Sequence, residues 1–133
     1  MVEHRIEAPG TVVRFHGSAL CYTYSMRNMT PQELGWVAGI LEGEGCFTPS
    51  RQRSGDKTYV YARIQLNMTD EDVMIRFHET VGIGRLSGPH YYKNPNWKPR
   101  WTWRVSNGDA KDLMREIRPL MGARRGGAID ASL

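Results

Sequence analysis

Two segments of the chain, 58–67 and 97–106, alternate between apolar and polar residues with the two-residue period of a half-buried β-strand. The polar face of the first segment carries Tyr59, Tyr61, Arg63, Gln65 and Asn67. The apolar face of the second carries Trp97, Pro99, Trp101, Trp103 and Val105. Its polar face carries Lys98, Arg100, Thr102, Arg104 and Ser106. We predict two strands, each with one face in the core and one face open to solvent.

The segment 30–41 has the start signals of a helix. Thr30 can cap it, Pro31 suits the first helical position, and Glu33 can complete a capping box with Thr30. We therefore predict a first helix that begins at this cap and ends near residue 41.

Two more helices and two more strands complete the predicted pattern. The second helix begins at a cap formed by Thr69 and stops at Gly82, and the third opens at Asn107. The additional strands span 46–53 and 84–92. The order α-β-β-α-β-β-α predicts an α+β fold, in which a four-stranded antiparallel sheet has helices on one face and a polar face opposite.

Length and composition restrict the class of protein. The 133 residues suggest a single domain, and the formal net charge of +4 permits nucleic-acid binding without requiring it. Two cysteines, Cys21 and Cys46, are too few for a disulfide scaffold or a structural zinc site. The sequence has no apolar run of transmembrane length and no secretory signal. We expect an intracellular protein that is neither secreted nor embedded in a membrane.

The first helix has small residues in its middle and two acids at its end. A glycine inside a helix costs roughly 1 kcal/mol relative to alanine. Gly35, Ala38 and Gly39 can offset that cost by letting another backbone approach closely. Glu42 and Glu44 follow where the helix ends, and the helix dipole disfavours acids there. A divalent cation is the natural partner for two acids in this position.

The sequence VAGILEGEG at 37–45 resembles the motif of the LAGLIDADG homing endonucleases, and the following Cys46 and Phe47 fit its common form. The resemblance covers about residues 30–121, and a single copy of the motif is visible. It implies the α-β-β-α-β-β-α fold, a homodimer with two motif helices packed at the twofold axis, and site-specific hydrolysis of double-stranded DNA. It also implies Mg²⁺ as the cofactor, with Mn²⁺ as a substitute.

The resemblance assigns roles to residues around the helix end. It makes Glu44 the catalytic acid and a metal ligand, together with the main-chain carbonyl of Gly43, although the family usually has Asp in the place of Glu44. It gives Glu42 a supporting role, and Asn67 or Asp70 can be the further polar residue of the active site. The predicted dimer interface consists of Gly35, Ala38, Gly39 and Glu42.

One element of the family pattern is missing. Family members often have a lysine near the end of the fourth strand, where this chain has Asn107 and Gly108, and the nearest lysine, Lys98, lies a whole strand away. Three interpretations stay open: weak activity, a substitute arginine, or a protein that binds DNA without cutting it, such as a transcriptional regulator. An RNA-splicing helper is a further alternative. The acids at Glu42 and Glu44 favour cleavage, because a pure DNA-binding protein has no need for acids close to phosphates.

The polar sheet face is the predicted DNA-binding surface. A two-stranded ribbon fits the major groove, where Arg can read guanine and Gln or Asn can read adenine. The alternative is an ordinary solvated face. The candidate residues are Ser50, Gln52, Tyr61, Arg63, Gln65, Asn67, Arg85, Lys98, Arg100 and Arg104. The tryptophans of 97–106 share a face with Val105, so we predict that they belong to the core and do not stack on single strands.

The chain divides into three segments on this basis. Residues 1–29 form an N-terminal extension, 30–121 the LAGLIDADG-type domain, and 122–133 a basic tail that is predicted to be loose. Two short strands are suggested within the extension, at 11–15 and 21–24. The extension either packs on the domain, contacts DNA or is partly disordered.

Overall fold

The computed structural model describes the backbone of residues 13–16, 19–24 and 28–133, and the side chains from residue 28 onward. The elements are β1 (Val13–His16), β2 (Ala19–Tyr24), α1 (Pro31–Glu44), β3 (Gly45–Ser54), β4 (Lys57–Met68), α2 (Glu71–Val81), β5 (Arg85–His90), β6 (Arg100–Ser106), α3 (Asn107–Ile117) and α4 (Ala123–Ser132), with a 3₁₀ turn at Arg118–Leu120. The predicted α+β order, α-β-β-α-β-β-α, is confirmed from α1 to α3.

Strands β3 to β6 form one antiparallel sheet with the spatial order β3-β4-β6-β5. The register aligns apolar residues of neighbouring strands, since Phe47 is the partner of Ile64 and Ile64 is the partner of Val105. All three are buried, as are Leu66 and its partner Trp103. The predicted alternation between a core face and an open face is confirmed from Tyr61 to Asn67 and from Trp103 to Ser106. It is wrong for the outer part of β4, where Val60 is 45% exposed although it shares a strand face with Ile64.

The core lies between this sheet face and the helices. Leu41 of α1, Phe77 of α2 and Leu113 of α3 are fully buried in the same cluster as the sheet residues. The ring of Trp103 meets the ring of Phe77 edge-on at 4.8 Å between centroids, and its Nε1 donates to the carbonyl oxygen of Ile83 at 2.9 Å. Because this N–H is paired, the tryptophan is buried without an unsatisfied donor.

Helix α1 begins where the sequence predicts but ends later. Oγ1 of Thr30 accepts from the backbone N–H of Glu33 at 3.1 Å, and the carboxylate of Glu33 accepts from the N–H of Thr30 at 3.0 Å. The helix continues through Glu44, and the N–H of Gly45 then donates to the carbonyl oxygen of Leu41. A Cβ at Gly45 would lie 2.7 Å from that oxygen, so only glycine allows the chain to turn directly into β3.

Two further predicted boundaries are wrong. The cap of α2 is Asp70 instead of Thr69, although its side chain makes no capping hydrogen bond. Strand β6 begins at Arg100 instead of Trp97, whose side chain is 60% exposed and lies outside the core. The alternating pattern of the sequence simply continues past the point where strand pairing stops.

The basic C-terminal segment is not loose. It forms α4, and Ile129 of this helix is fully buried in the core cluster. Two adjacent glycines concealed the helix from prediction, because glycine disfavours helical backbone. Nε and Nη2 of Arg118 each donate to a carboxylate oxygen of Asp130 at 2.9 Å, which ties the 3₁₀ turn to α4. This pairing raises the pKa of Arg118 and lowers the pKa of Asp130.

Within the N-terminal extension, β1 and β2 pair antiparallel, which confirms that two short strands are present. The prediction that the extension packs on the domain, contacts DNA or is partly disordered concerns residues that lie largely outside the described ones. No helix in the described part of the chain combines the length and the apolar character needed to cross a membrane.

Candidate functional site

The two acids at the end of α1 have different surroundings. Glu44, the last residue of the helix, is exposed. Oε1 of Glu42 accepts from the backbone N–H of Gly122, just before α4, at 3.1 Å. Oε2 of Glu42 is buried and has no hydrogen-bond partner among the described residues. Glu44 is thus open to a ligand, whereas Glu42 joins α1 to the start of α4.

Arg125 of α4 binds the end of α1. Its Nε donates to the carbonyl oxygen of Glu42 at 3.1 Å, its Nη2 to that of Gly43 at 3.4 Å, and its Nη1 to that of Gly45. The last carbonyls of a helix have no partner within the helix and carry partial negative charge. No basic residue occupies the last turn of α1, so Arg125 supplies the missing cation from α4. The sequence analysis did not identify Arg125. The one feature of the sequence that pointed to such a residue was the absence of a basic side chain from the last turn of α1.

Gly35, Gly39 and Gly43 lie on one face of α1, because they are four residues apart. Nothing among the described residues lies within 4 Å of the Cβ that each would carry, so we name these three residues the glycine face. Ala38 is only 3% exposed and belongs to the core, so its predicted place in the dimer interface is wrong. One position along a helix turns the side chain by about 100°, which separates Ala38 from Gly39.

Two oxygen donors at the end of α1 are candidate metal ligands. The carboxylate of Glu44 is exposed, and the carbonyl of Gly43 has only a long contact, of 3.4 Å, with Arg125. Both are hard donors of the kind that Mg²⁺ prefers, so they fit this ion. Among the described residues, no three Asp, Glu, His or Cys side chains gather into a metal site. Within the described part of the chain, the carboxylate of Glu44 and the carbonyl of Gly43 are therefore only part of a ligand set.

Asn67 lies on the open sheet face, at the end of β4 beside the end of α1. Its neighbour Leu66 is the register partner of Gly45, the residue that follows Glu44. Oδ1 of Asn67 accepts from Oγ1 of Thr102 at 2.7 Å, which fixes the amide on that face. The structure therefore brings Asn67 to the same end of the sheet as Glu44.

Asp70 and Lys98 lie outside the strands. Asp70 is the exposed cap of α2, beyond the end of β4. Lys98 is exposed in the loop before β6, which begins only at Arg100. Its predicted place on the strand face is wrong, because the strand pairing does not reach it.

The register brings polar residues of all four strands into rows across the open face. One row runs through Cys46, Gln65, Arg104 and Arg85. Within it, Nε and Nη2 of Arg104 both donate to Oε1 of Gln65, at 3.1 and 2.8 Å. The other predicted DNA-binding residues of β3 and β4 lie on the same face by register: Ser50, Gln52, Tyr61, Arg63 and Asn67.

A trough of about 590 Å³ opens on this face. Its lining contains three arginines and no acid: Gln65, Arg85, Ser87, His90, Arg100, Thr102, Arg104 and Ser106. Arg85 and Arg104 are direct register partners, and like charges in that relation repel. Nε2 of His90 lies 3.2 Å from Oγ of Ser87 in the trough wall. A basic concave surface of this kind suits a polyanion.

Comparison of the sequence with protein-family models and with curated proteins finds no match. Comparison of structures does find neighbours. The homing endonuclease I-CvuI, in complex with the I-CreI target DNA, aligns over 73% of this chain and 61% of its own, with 16% identity and a TM-score of 0.54. The archaeal intron-encoded homing endonuclease I-Vdi141I, complexed with DNA, aligns over 74% and 63%, with 18% identity and a TM-score of 0.55.

A third neighbour is the LAGLIDADG meganuclease I-AabMI bound to uncleaved DNA, which aligns over 74% of this chain and 34% of its own, with 14% identity and a TM-score of 0.56. The chain spans less than two thirds of the length of these neighbours, which are covered to 61%, 63% and 34%. At such low identity the likeness concerns the fold. The chain therefore has the fold of the LAGLIDADG homing endonucleases, and the resemblance found in its sequence is confirmed at that level.

Proposed function

We propose that this protein is a site-specific endonuclease of double-stranded DNA, which acts as a homodimer with a divalent metal ion. The observation that carries the proposal is an exposed acid, Glu44, at a helix end that disfavours acids, beside a basic open sheet face. The neighbours named above are homing endonucleases bound to DNA, which supports the same class of ligand here. The protein would work inside the cell, wherever its target DNA lies.

DNA would bind across the open face of the sheet. Arginines of β5 and β6 would hold phosphates and contact base edges in the major groove. Phosphates would also relieve the repulsion between Arg85 and Arg104, which are neighbours on adjacent strands. Asn67, held by Thr102, lies on this surface at the same end of the sheet as Glu44 and would position the DNA backbone near the acid.

The carboxylate of Glu44 and the carbonyl of Gly43 would hold Mg²⁺, or Mn²⁺ in its place. When bound, the ion supplies Lewis-acid stabilisation of the negative charge that develops in phosphodiester hydrolysis. Two hydrogen bonds would keep the end of α1 in position. The carboxylate of Glu42 accepts from the N–H of Gly122, just before α4, and Arg125 of α4 donates to the main-chain oxygen of Glu42. Glu44 would thereby present its carboxylate from a fixed backbone.

A second protomer would complete the site by packing along the glycine face of α1. Small residues on a helix let a second backbone approach closely. Two copies of α1 joined this way would bring two copies of Glu44 together, so that each serves one DNA strand. Their charges would repel until metal binds.

The experiment that tests this function begins with selection from a randomised duplex library, which defines the bound site directly. The selected duplex is then incubated with Mg²⁺ and either the wild-type protein or Glu44→Gln. We expect the wild type to cut both strands and the variant to bind without cutting. Equal cleavage by the variant would remove Glu44 from its role. Binding without cleavage by the wild type, in Mg²⁺ and in Mn²⁺, would identify a DNA-binding regulator instead.

A further inference from the structure

We propose that Arg104, held by Gln65, reads one guanine in each half of the target site. The inference rests on the proposed function and adds the base that one side chain recognises. Arg104 is exposed on the central strand β6, directly opposite Gln65 on β4 and Arg85 on β5. It therefore stands in the middle of the open face, where a base edge in the major groove would meet the sheet.

The hydrogen bonds of Arg104 leave one edge of its guanidinium available. Nε and Nη2 both donate to Oε1 of Gln65, at 3.1 and 2.8 Å, and these bonds occupy the side edge of the group. The end edge, formed by Nη1 and the second N–H of Nη2, is left for a ligand. Two parallel donors match O6 and N7 of guanine, whereas adenine presents a donor in the place of O6. The available edge therefore selects guanine.

Gln65 fixes the direction of that edge. Arginine has only donors, so the atom of Gln65 that faces Arg104 must be the amide oxygen, which settles the orientation of the amide. A long side chain that is fixed before binding loses less conformational entropy when the ligand arrives. Gln65 is thus a positioning residue, and Arg104 is the residue that contacts the base.

Arg85 offers a matched contrast in the same row. It is exposed on the edge strand β5, next to Arg104, and a phosphate beside it would relieve the repulsion between the two. A phosphate contact positions the duplex but carries no information about the base. Arg85 should therefore strengthen binding to every sequence, while Arg104 specifies one position.

The test compares base preferences by selection from a randomised duplex library, followed by binding measurements on the selected site and its single-base variants. In the wild type we expect one guanine per half-site that is preferred about tenfold to a hundredfold. Arg104→Ala should lose the preference at that position alone, and Gln65→Ala should weaken it there. Arg104→Gln should shift the preference at that position from guanine toward adenine, because a glutamine amide can make two hydrogen bonds with adenine. This variant also provides the test if Arg104→Ala does not fold.

Two further variants separate specificity from affinity. Arg85→Ala should weaken binding to all sequences alike and lower the slope of its salt dependence by about one. Arg53 is the register partner of Thr58 and therefore lies on the opposite face of the sheet. Arg53→Lys should leave every base preference unchanged. An Arg104→Ala or Arg104→Gln protein that selects the wild-type site would overturn this inference and leave the proposed function standing. A wild-type protein that selects no duplex would overturn both.

Discussion

Nε of Arg125 lies 3.1 Å from the main-chain oxygen of Glu42, although 83 positions separate the two residues in the sequence. The same guanidinium donates to the carbonyls of Gly43 and Gly45. These contacts join α4 to the end of α1, the helix that carries the candidate acid Glu44. The C-terminal helix therefore belongs to the structure of the candidate site.

Arg125→Ala should lower the free energy of unfolding by about 1.5–3 kcal/mol, the range for hydrogen bonds that involve a charged group. The variant leaves the last carbonyls of α1 without their donor. Arg124→Ala is the matched control, because Arg124 is the exposed neighbour, and such surface changes stay within about 0.5 kcal/mol. Urea denaturation measures both. Equal effects of the two substitutions would contradict the importance of the contacts made by Arg125.

Glu44→Gln should raise stability while it removes cleavage. The acid is exposed at the C-terminal end of α1, and loss of its unfavourable interaction with the helix dipole should gain about 0.3–1 kcal/mol. Glu42→Ala should have the opposite effect, a loss of about 1–3 kcal/mol, because the N–H of Gly122 loses its acceptor. Denaturation curves of both variants beside the wild type check the signs. A destabilised Glu44→Gln protein would mean that this acid supports the fold.

Local signals in the sequence were sufficient for parts of the fold. Thr30 and Glu33 are three positions apart, so the whole capping interaction is contained in a short segment. The alternation of 58–67 reports which residues share a face, because the pleat of a strand determines it. The start of α1 and the residues that β4 contributes to the open face were therefore predictable.

Other parts depend on contacts that the sequence does not display. The partners of Arg125 lie 80 to 83 positions away, and its helix contains two glycines that conceal it. The bond between Arg104 and Gln65 spans 39 positions and follows from strand register. The small size of Ala38 can be read from the sequence. The direction of its side chain cannot, because that direction depends on which face of α1 packs against the sheet.

Gly39→Leu should leave the protein folded and break the proposed dimer. A Cβ added at Gly39 would meet nothing within 4 Å among the described residues, apart from the backbone of its own helix. Replacing glycine in a helix also favours the helix by up to about 1 kcal/mol. Gly127→Leu in α4 is the matched control, since that position is also open. Light scattering measures the mass, and circular dichroism checks the fold. A Gly39→Leu protein that stays dimeric would place the twofold axis elsewhere.

Gly84→Ala should destabilise the protein far more than Gly55→Ala, although both glycines have a positive φ, of 84° and 61°. Each substitution costs about 1–2 kcal/mol for the left-handed backbone. At Gly84 the new Cβ would also lie 2.6 Å from Nε1 of Trp103, a fully buried ring, whereas at Gly55 it would meet no described residue within 4 Å. This overpacking adds about 1–3 kcal/mol, which thermal unfolding of the two variants can resolve. Similar melting temperatures would contradict it.

The ion pair between Arg118 and Asp130 should make stability depend on pH in the acid range. The hydrogen bonds from Arg118 hold the pKa of Asp130 below its ordinary value. A depressed pKa in the folded state means that the contribution is present above the unfolded value, about 4, and is lost as the pH falls through the folded value. Asp130→Asn does not titrate, so its deficit in unfolding free energy relative to the wild type should shrink below about pH 4.

The deficit of Asp130→Asn should also shrink in high salt at neutral pH, because the side chains of Arg118 and Asp130 are 39% and 58% exposed and salt screens their attraction. Arg115 and Asp112 form an exposed pair on α3 and supply the control. Asp112→Asn should change stability less, since a single bond of 3.3 Å joins that pair in place of two bonds of 2.9 Å. A deficit for Asp130→Asn that stays constant from about pH 7 to pH 2 would show that the carboxylate acts by packing and not by charge.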